Sequence, residues 1–255
     1  MQPAGSKPPL FCVHGVMGNV LFYAHLARRL GLDRPFYGLQ AIGVDGRCDP
    51  LSSVEEMAAA YISEIKTVQP EGPYFLGGFC AGAYVALEMA NQLRSQGSEV
   101  ALLASFNTDG NWKRVQTLRD GFRYHWRNLR RLQARKRPDY ILSRLRFRRS
   151  RMTGVLRRAM CRLCVFAGAP LPEWLRDFHV EEVHRAATAK YRPGSYQGKV
   201  VYFQGSDDSF RDPRPFWCDL LGGQLETQLV PGRGITIFDE RNSQQLADRL
   251  KSYLV

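Results

Sequence analysis

The residues best suited to covalent chemistry lie in the stretch Gly78-Phe79-Cys80-Ala81-Gly82. An apolar run, Tyr74 to Leu76, precedes it and predicts a buried strand, and the run from Ala83 to Gln92 predicts a helix after it. A strand, a tight glycine-flanked turn and a helix are typical of a nucleophile elbow, in which the central residue projects from the top of a sheet. The sequence therefore predicts Cys80 as a nucleophile, with a buried structural cysteine as the alternative.

The position of Cys80 also bears on the charge of its sulfur. Backbone amides and the helix dipole favour a negative charge at a helix N-terminus. A free thiol has a pKa of ~8.5, and helix N-termini and nearby cations lower that pKa. We therefore expect an appreciable thiolate population at Cys80. We also expect side chains at Gly78 or Gly82 to collide with the neighbouring strand or helix.

The elements that must position this turn alternate along the chain. Strands are predicted at 9–13, 35–39, 74–76, 99–106, 199–204 and 225–230. Helices are predicted at 21–30, from Ser53 to about Val68, at 83–92, 179–191 and 243–254. Ser53-Val-Glu-Glu56 has the form of a capping box. The alternation predicts one α/β domain over residues 1–255, with a mostly parallel central sheet covered by helices.

One segment departs from this rhythm in both pattern and charge. Residues 113–163 hold 18 of the 36 lysines and arginines but only two acids, Asp120 and Asp139. The rest of the chain carries 18 basic and 22 acidic residues. The segment is also helical in pattern, so we predict an Arg-rich helical insertion at residues 111–170.

Composition excludes several other classes of protein. No stretch approaches the ~20 consecutive apolar residues of a membrane span. The polar start of the chain, Met1 to Pro9, has the form of neither a secretory signal nor a transit peptide. The six cysteines lack the spacing of a disulfide framework, and Cys161-Arg-Leu-Cys164 has no second pair, so we expect reduced thiols, no metal site and a cytoplasmic location. The Met1 start and the absence of adenylation or carrier motifs favour a free-standing protein over a domain excised from a synthase.

Several motifs together resemble the thioesterase domains of nonribosomal peptide and polyketide synthases, which have the α/β-hydrolase fold. The shared features are His14-Gly15 after the first strand, the Gly-Gly-Phe-Cys-Ala-Gly elbow with Ala-Leu-Glu-Met-Ala behind it, Gln-Gly-Ser-Glu-Val before the next strand, Tyr-Arg-Pro-Gly-Ser-Tyr-Gln-Gly from Tyr191, and Val230-Pro-Gly before the last helix. The likeness covers nearly the whole chain. The insertion at 111–170 falls where that family carries a helical lid.

The resemblance implies release or transfer of an acyl or peptidyl chain from the phosphopantetheine thioester of a carrier protein. Cys80 matches the nucleophile, which is usually serine in this family. The oxyanion hole would be formed by the backbone amides of Ala81 and Val16. No cofactor bound by the chain itself is implied, because the substrate arrives on the phosphopantetheine arm of the carrier protein.

The sequence departs from the family pattern at the other two catalytic positions. Asn107 stands where the acid is expected, and Asp109, Asp207 or Asp208 could supply a carboxylate instead. Gly234 stands where the catalytic histidine is expected, in Pro231-Gly-Arg-Gly-Ile. His14 is the candidate substitute base. The remaining histidines are expected to pack, to face solvent or to lie in the basic segment: His25, His125, His179 and His184.

These departures leave two functions open. An Asn can orient an imidazole, as in Cys-His-Asn proteases, and a thiolate attacks a thioester without a general base, so acyl transfer or cyclisation is favoured over hydrolysis if the chain is an enzyme. The alternative is an inactive thioesterase-like protein that binds a carrier protein or an acyl chain.

The basic insertion has three interpretations of its own. Its arginines could attract an acidic carrier protein, with docking at Arg144, Arg146, Arg148 and Arg149. They could equally form a solvated outer face. A remote alternative is binding of nucleic acid or an anionic membrane surface through residues 144–151, although no nucleic-acid motif accompanies the charge.

Overall fold

The computed structural model describes residues 1–108, 154–164, 166–207, 217, 220–221 and 225–254. The chain divides into two compact units, one formed by Met1–Trp112 with Val180–Val255 and the other by Lys113–His179. The first unit carries the sheet and every candidate catalytic residue that the structure describes. In the second unit, residues 154–164 form a helix, and a further helix begins at Glu173.

Six parallel strands form the sheet of the first unit. In chain order they are β1 (Leu10–Val13), β2 (Phe36–Leu39), β3 (Tyr74–Phe79), β4 (Val100–Phe106), β5 (Val200–Gly205) and β6 (Leu225–Val230). Their spatial order is β2-β1-β3-β4-β5-β6, and every pairing is parallel. The predicted parallel α/β architecture is therefore confirmed. The carboxyl ends of β1, β3 and β4 meet at one edge of the sheet, which gathers the loops that follow them.

The four inner strands β1, β3, β4 and β5 are buried on both faces, which explains why they are mostly continuous apolar runs rather than alternating ones. Leu76 and Leu103 face one core layer, whereas Phe75 and Leu102 face the other. Successive side chains of a strand point to opposite faces, so each strand serves both layers.

The helices are α1 (Ala24–Leu30), α2 (Val54–Val68), α3 (Ala81–Ser95), α4 (residues 154–164), α5 (Glu173–Lys190) and α6 (Ser243–Lys251). Ser53 caps α2, because its side chain accepts a hydrogen bond from the Glu56 amide at 3.1 Å. No helix in these described ranges is both long and apolar enough to span a membrane.

Several helix boundaries differ from the sequence prediction. The helix α3 begins two residues earlier and ends three residues later than predicted, and α5 begins six residues earlier, at Glu173 just after Pro172. The last helix ends at Lys251 rather than Leu254. Proline is well tolerated before the first turn of a helix, so Pro172 was a usable signal for the start of α5.

Most residues of the predicted basic insertion, 111–170, lie outside the described ranges. The same is true of Arg144, Arg146, Arg148 and Arg149. Both the insertion and its docking role stay predictions.

The glycine-flanked turn before α3 leaves no room for a side chain at either glycine. A Cβ on Gly78 would lie 2.3 Å from the Gly82 oxygen, and a Cβ on Gly82 would lie 2.1 Å from the His14 oxygen. Both clashes are with backbone atoms, which cannot rotate aside. The predicted collision is thus confirmed, and it shows that α3 begins directly against the end of β1.

We expect Gly82→Ala to lower the free energy of unfolding by about 3 kcal/mol, at the upper end of the range for overpacking, because the backbone must move to admit the methyl group. Gly194→Ala is the matched control, since a Cβ there meets no described atom within 4 Å. The control should change stability by less than about 0.5 kcal/mol. Urea denaturation measures both, and equal losses in the two variants would contradict this account of the turn.

Candidate active site

Cys80 has the backbone conformation of a nucleophile elbow. It lies between the last residue of β3 and the first residue of α3, with φ 53° and ψ −117°. A non-glycine residue with positive φ is strained, and such strain persists only where the surroundings hold it. Here the Cys80 amide donates to the Phe106 oxygen at 3.1 Å, and the Thr108 hydroxyl donates to the Cys80 oxygen at 3.1 Å. The end of β4 therefore holds the elbow on both sides.

Cys80 as a residue is half-buried at this edge. Burial among neighbouring groups raises the pKa of the thiol, whereas the backbone hydrogen bond from Ala81 and the charge of Arg185 lower it, and the net direction is upward. The sequence-based expectation of an appreciable thiolate population was thus wrong. The helix N-terminus and a nearby cation do stabilise the thiolate, as expected. Desolvation of the thiol raises its pKa by more than these two effects lower it.

Asn107, at the expected acid position, bridges three backbone segments. It follows β4 with φ 46°, a conformation that asparagine tolerates better than most residues. Its side-chain Nδ2 donates to the Gly234 oxygen at 2.9 Å, and its Oδ1 accepts from the Gly205 amide at 2.7 Å. Both ends of the amide are therefore engaged with backbone rather than with an imidazole.

Gly234, at the expected histidine position, begins a short 3-10 helix that ends at Phe238. The Asn107 bond shows that the expected acid and histidine positions are neighbours, although 127 residues separate them in the chain. Gly234 has φ 53°, and a Cβ there would meet no described atom within 4 Å. A histidine is among the residues that adopt this φ most readily.

His14, the candidate substitute base, is buried and has both ring nitrogens engaged. Its Nδ1 donates to the Gly15 oxygen at 2.7 Å, and its Nε2 accepts from the Tyr61 hydroxyl at 2.7 Å. The ring stacks on His184 with centroids 4.8 Å apart. Burial lowers the pKa of His14 to about 3, with His184 contributing in the same direction. These contacts favour a structural role for His14.

The described histidines therefore leave Cys80 without a base in contact. No imidazole within the described ranges forms a hydrogen bond with the Cys80 sulfur. Asp207 is exposed, and its backbone amide donates to the Gly232 oxygen at 3.1 Å. Asp109 and Asp208 lie outside the described residues.

One predicted oxyanion donor, Ala81, is the first residue of α3, and the other, Val16, lies in the loop after β1. Gly15, one residue before Val16, is so close to Phe79 that a Cβ on it would lie 3.2 Å from the Phe79 ring. The loop after β1 is thus beside the residue that precedes Cys80. No described residue accepts a hydrogen bond from the Val16 amide, whereas the Ala81 amide already points at the Cys80 sulfur.

Comparison with known proteins shows which family this chain resembles. The thioesterase-domain family model matches residues 8–133. A dimodular nonribosomal peptide synthase of Bacillus subtilis is 46% identical over 111 residues, which are 44% of this chain and 5% of that protein. Malpinin synthetase of Mortierella alpina is 44% identical over 113 residues, 44% of this chain and 2% of that protein. A crystal structure of the NocB thioesterase domain, in covalent complex with a fluorophosphonate nocardicin G analog, aligns with a TM-score of 0.70 and 27% identity over 100% of this chain and 98% of that one.

Residues 8–133 of this chain are thus similar to the thioesterase-domain family, and the whole chain is similar in structure to the NocB thioesterase domain. Its fold is the α/β-hydrolase fold, and the resemblance drawn from the sequence motifs is confirmed. The chain spans 5% or less of the length of the two synthases just described.

The structure brings together most of the predicted site residues that it describes. Cys80, Ala81, Asn107 and Gly234 are linked through neighbouring backbone contacts, and the Val16 loop adjoins them. No group of three or more His, Cys, Asp or Glu side chains in the described ranges is placed to bind a metal ion.

Sequence reasoning missed two residues of this site. Thr108 supports the elbow from the end of β4, and the guanidinium of Arg185 on α5 acts electrostatically on the sulfur. Thr108 directly follows the expected acid position, so a hydroxyl there was a usable signal. Arg185 lies more than a hundred positions from Cys80, and no spacing rule connects the two.

The pH dependence of Cys80 alkylation tests how the surroundings of Cys80 shift the pKa of its thiol. Because the pKa of the thiol is raised, it stays protonated at neutral pH, and its alkylation rate should still be climbing with pH above its ordinary pKa. Arg185→Gln removes a charge that lowers this pKa, so the profile should move to higher pH. Iodoacetamide alkylation followed by peptide mass spectrometry measures it. Lys190→Gln, on the same helix, is the control, and a plateau already reached at neutral pH would contradict the assignment.

Proposed function

We propose that this thioesterase domain accepts an acyl or peptidyl chain from the phosphopantetheine thioester of a carrier protein onto Cys80 and passes it to a second nucleophile. The observation that carries the proposal is the strained elbow: Cys80 at φ 53°, partly exposed, with the Ala81 amide directed at its sulfur. The family's homology to synthase thioesterase domains supports the same reaction class.

The first half of the reaction, transfer of the acyl chain to Cys80, needs little help from a general base. The Cys80 sulfur attacks the thioester carbonyl, a new carbon–sulfur bond forms, and the bond to the phosphopantetheine sulfur breaks. The proton of the Cys80 thiol ends on the departing phosphopantetheine thiol. The amides of Ala81 and Val16 would stabilise the tetrahedral oxyanion. Because one thioester replaces another, the exchange is nearly balanced in energy.

The second half decides the fate of the acyl chain. Water is a weak nucleophile and needs a general base, whose absence costs roughly 10²–10⁴-fold in rate. Residue 234 is a glycine and has no imidazole. Both ends of the Asn107 side-chain amide are hydrogen-bonded to backbone groups. An amine or a thiol needs less help than water, so transfer or cyclisation is favoured over hydrolysis.

A second function rests on the same contacts. Asn107 and Gly234 form a stable bridge in place of a charge relay, and the raised pKa of Cys80 reduces its thiolate population. An inactive thioesterase-like protein that binds a carrier protein or an acyl chain would tolerate both changes. The two functions differ in whether a covalent adduct forms on Cys80.

The partner follows from the proposed reaction. The partner is an acyl or peptidyl carrier protein, and phosphopantetheine enters as part of the substrate rather than as a cofactor of this chain. Docking at Arg144, Arg146, Arg148 and Arg149, binding of nucleic acid or a membrane surface by that segment, and a cytoplasmic location all stay predictions.

Intact-mass analysis after incubation with an acyl-phosphopantetheine carrier protein separates the two functions. The wild-type chain should gain the mass of one acyl group, and Cys80→Ala should gain none. Cys80→Ser should acylate at least about 10²-fold more slowly, because an alcohol needs the general base that is missing here. A carrier protein that binds with measurable affinity but leaves no adduct would establish the inactive protein instead.

Rebuilding the catalytic pair tests the account of the missing base. In Asn107→Asp/Gly234→His, the new carboxylate can accept a hydrogen bond from the new imidazole, which replaces the lost bond to the Gly234 oxygen. We expect release of free acid to rise by roughly 10²–10⁴-fold over the wild-type chain. Liquid chromatography with mass detection of the released acid measures it.

The single variants are the controls for this experiment. Asn107→Asp places a carboxylate beside the Gly234 oxygen, to which it cannot donate, and should destabilise the fold by about 1–3 kcal/mol. Gly234→His alone lacks a carboxylate to orient its ring. If the double variant forms the acyl adduct yet hydrolyses it no faster than the wild-type chain, the missing base is not what limits release.

A further inference from the structure

His184, on α5, contacts the loop after β1, which carries the proposed oxyanion donor Val16. Sequence patterns did not predict this contact. His184 is 3% exposed and has its Nδ1 3.0 Å from the Val16 oxygen. Val16 is 168 positions away in the chain and is the residue whose amide is proposed to stabilise the oxyanion. The contact therefore joins α5 to the catalytic edge of the sheet.

The chemistry of the acceptor fixes the direction of this bond. A carbonyl oxygen can only accept, so Nδ1 of His184 carries the proton and donates. Burial lowers the pKa of His184, so the ring is neutral with its proton on Nδ1. The ring is held in place by stacking on His14 at an interplanar angle of 24°.

Together the two histidines hold the peptide groups on both sides of Val16. His14 Nδ1 donates to the Gly15 oxygen, which also accepts from the Gly18 amide at 2.9 Å, and His184 Nδ1 donates to the Val16 oxygen. In a trans peptide the carbonyl and the following N–H point in opposite directions. With the Gly15 carbonyl directed at His14, the Val16 amide must point away from it, and with the Val16 carbonyl held as well, Val16 cannot rotate.

We propose that His184 is a positioning residue that fixes the Val16 amide as an oxyanion donor for acyl transfer to Cys80. The inference rests on the proposed function. His184 does not touch the reacting atoms. It acts through the carbonyl of Val16, and an amide that is oriented before the reaction requires no rearrangement as negative charge develops. It also makes α5 part of the catalytic apparatus.

Two substitutions distinguish the effect of the His184 hydrogen bond from the effect of the His184 ring. His184→Phe keeps an aromatic ring to stack on His14 but removes the hydrogen-bond donor. His184→Asn removes the ring but keeps an N–H at the position of Nδ1. His179→Phe is the matched control, because it makes the same change on the same helix at a residue outside the site.

Two reactions of Cys80 then serve as readouts. Acylation by a hexanoyl-N-acetylcysteamine thioester passes through an oxyanion, whereas alkylation by iodoacetamide displaces iodide and forms none. In His184→Phe we expect the maximal acylation rate to fall about 10- to 100-fold, less than the 10²–10³-fold cost of losing a donor outright. The half-saturating thioester concentration and the alkylation rate should stay within about twofold of wild type. His184→Asn should recover acylation to within about threefold.

The outcomes are distinguishable. Unchanged acylation in His184→Phe, or an equal loss of acylation and alkylation, would overturn the positioning role. Equal loss in His184→Asn and His184→Phe would assign the effect to the ring rather than to the hydrogen bond and overturn the role as well. If the wild-type chain is alkylated but never acylated, the proposed function itself fails, and this inference fails with it.

Discussion

The site depends on one strained backbone conformation, the positive φ of Cys80, and on the contacts from β4 that hold it. The Phe106 carbonyl accepts from the Cys80 amide, and the Thr108 hydroxyl donates to the Cys80 carbonyl. Strain of this kind costs of order 1–3 kcal/mol and persists only when surrounding structure compensates for it. Here β4 compensates, and the glycines on either side of the turn let α3 begin against the end of β1. The position of Cys80 is thus set by backbone contacts and by the Thr108 hydroxyl.

Placing the sulfur at this edge has an electrostatic cost. The same packing that fixes the elbow removes solvent from the thiol and raises its pKa, and the Ala81 amide and Arg185 offset only part of that shift. A serine in the same position would depend entirely on a base, because its pKa lies far above any that such contacts could correct. A cysteine at this position therefore depends less on the missing histidine than a serine would.

Much of the fold could be predicted from the sequence because its signals are local. The elbow is encoded by adjacent residues, and the parallel sheet follows from apolar runs that alternate with helical ones. The start of α5 was misplaced because residues 173–178 carry a weak helical pattern. The state of the Cys80 sulfur was wrongly predicted because burial comes from residues distant in the chain. Asn107 directly follows β4, as the sequence predicts, but its bonds to Gly205 and Gly234 span 98 and 127 positions, and no spacing rule reveals them.

The bridge from Asn107 to Gly234 also constrains how this site could change over evolutionary time. An aspartate acquired alone would face a carbonyl to which it cannot donate, and a histidine acquired alone would find an amide whose two ends are already occupied. Neither first step brings a benefit, so the two positions are epistatic. A charge relay at this site therefore requires both substitutions together.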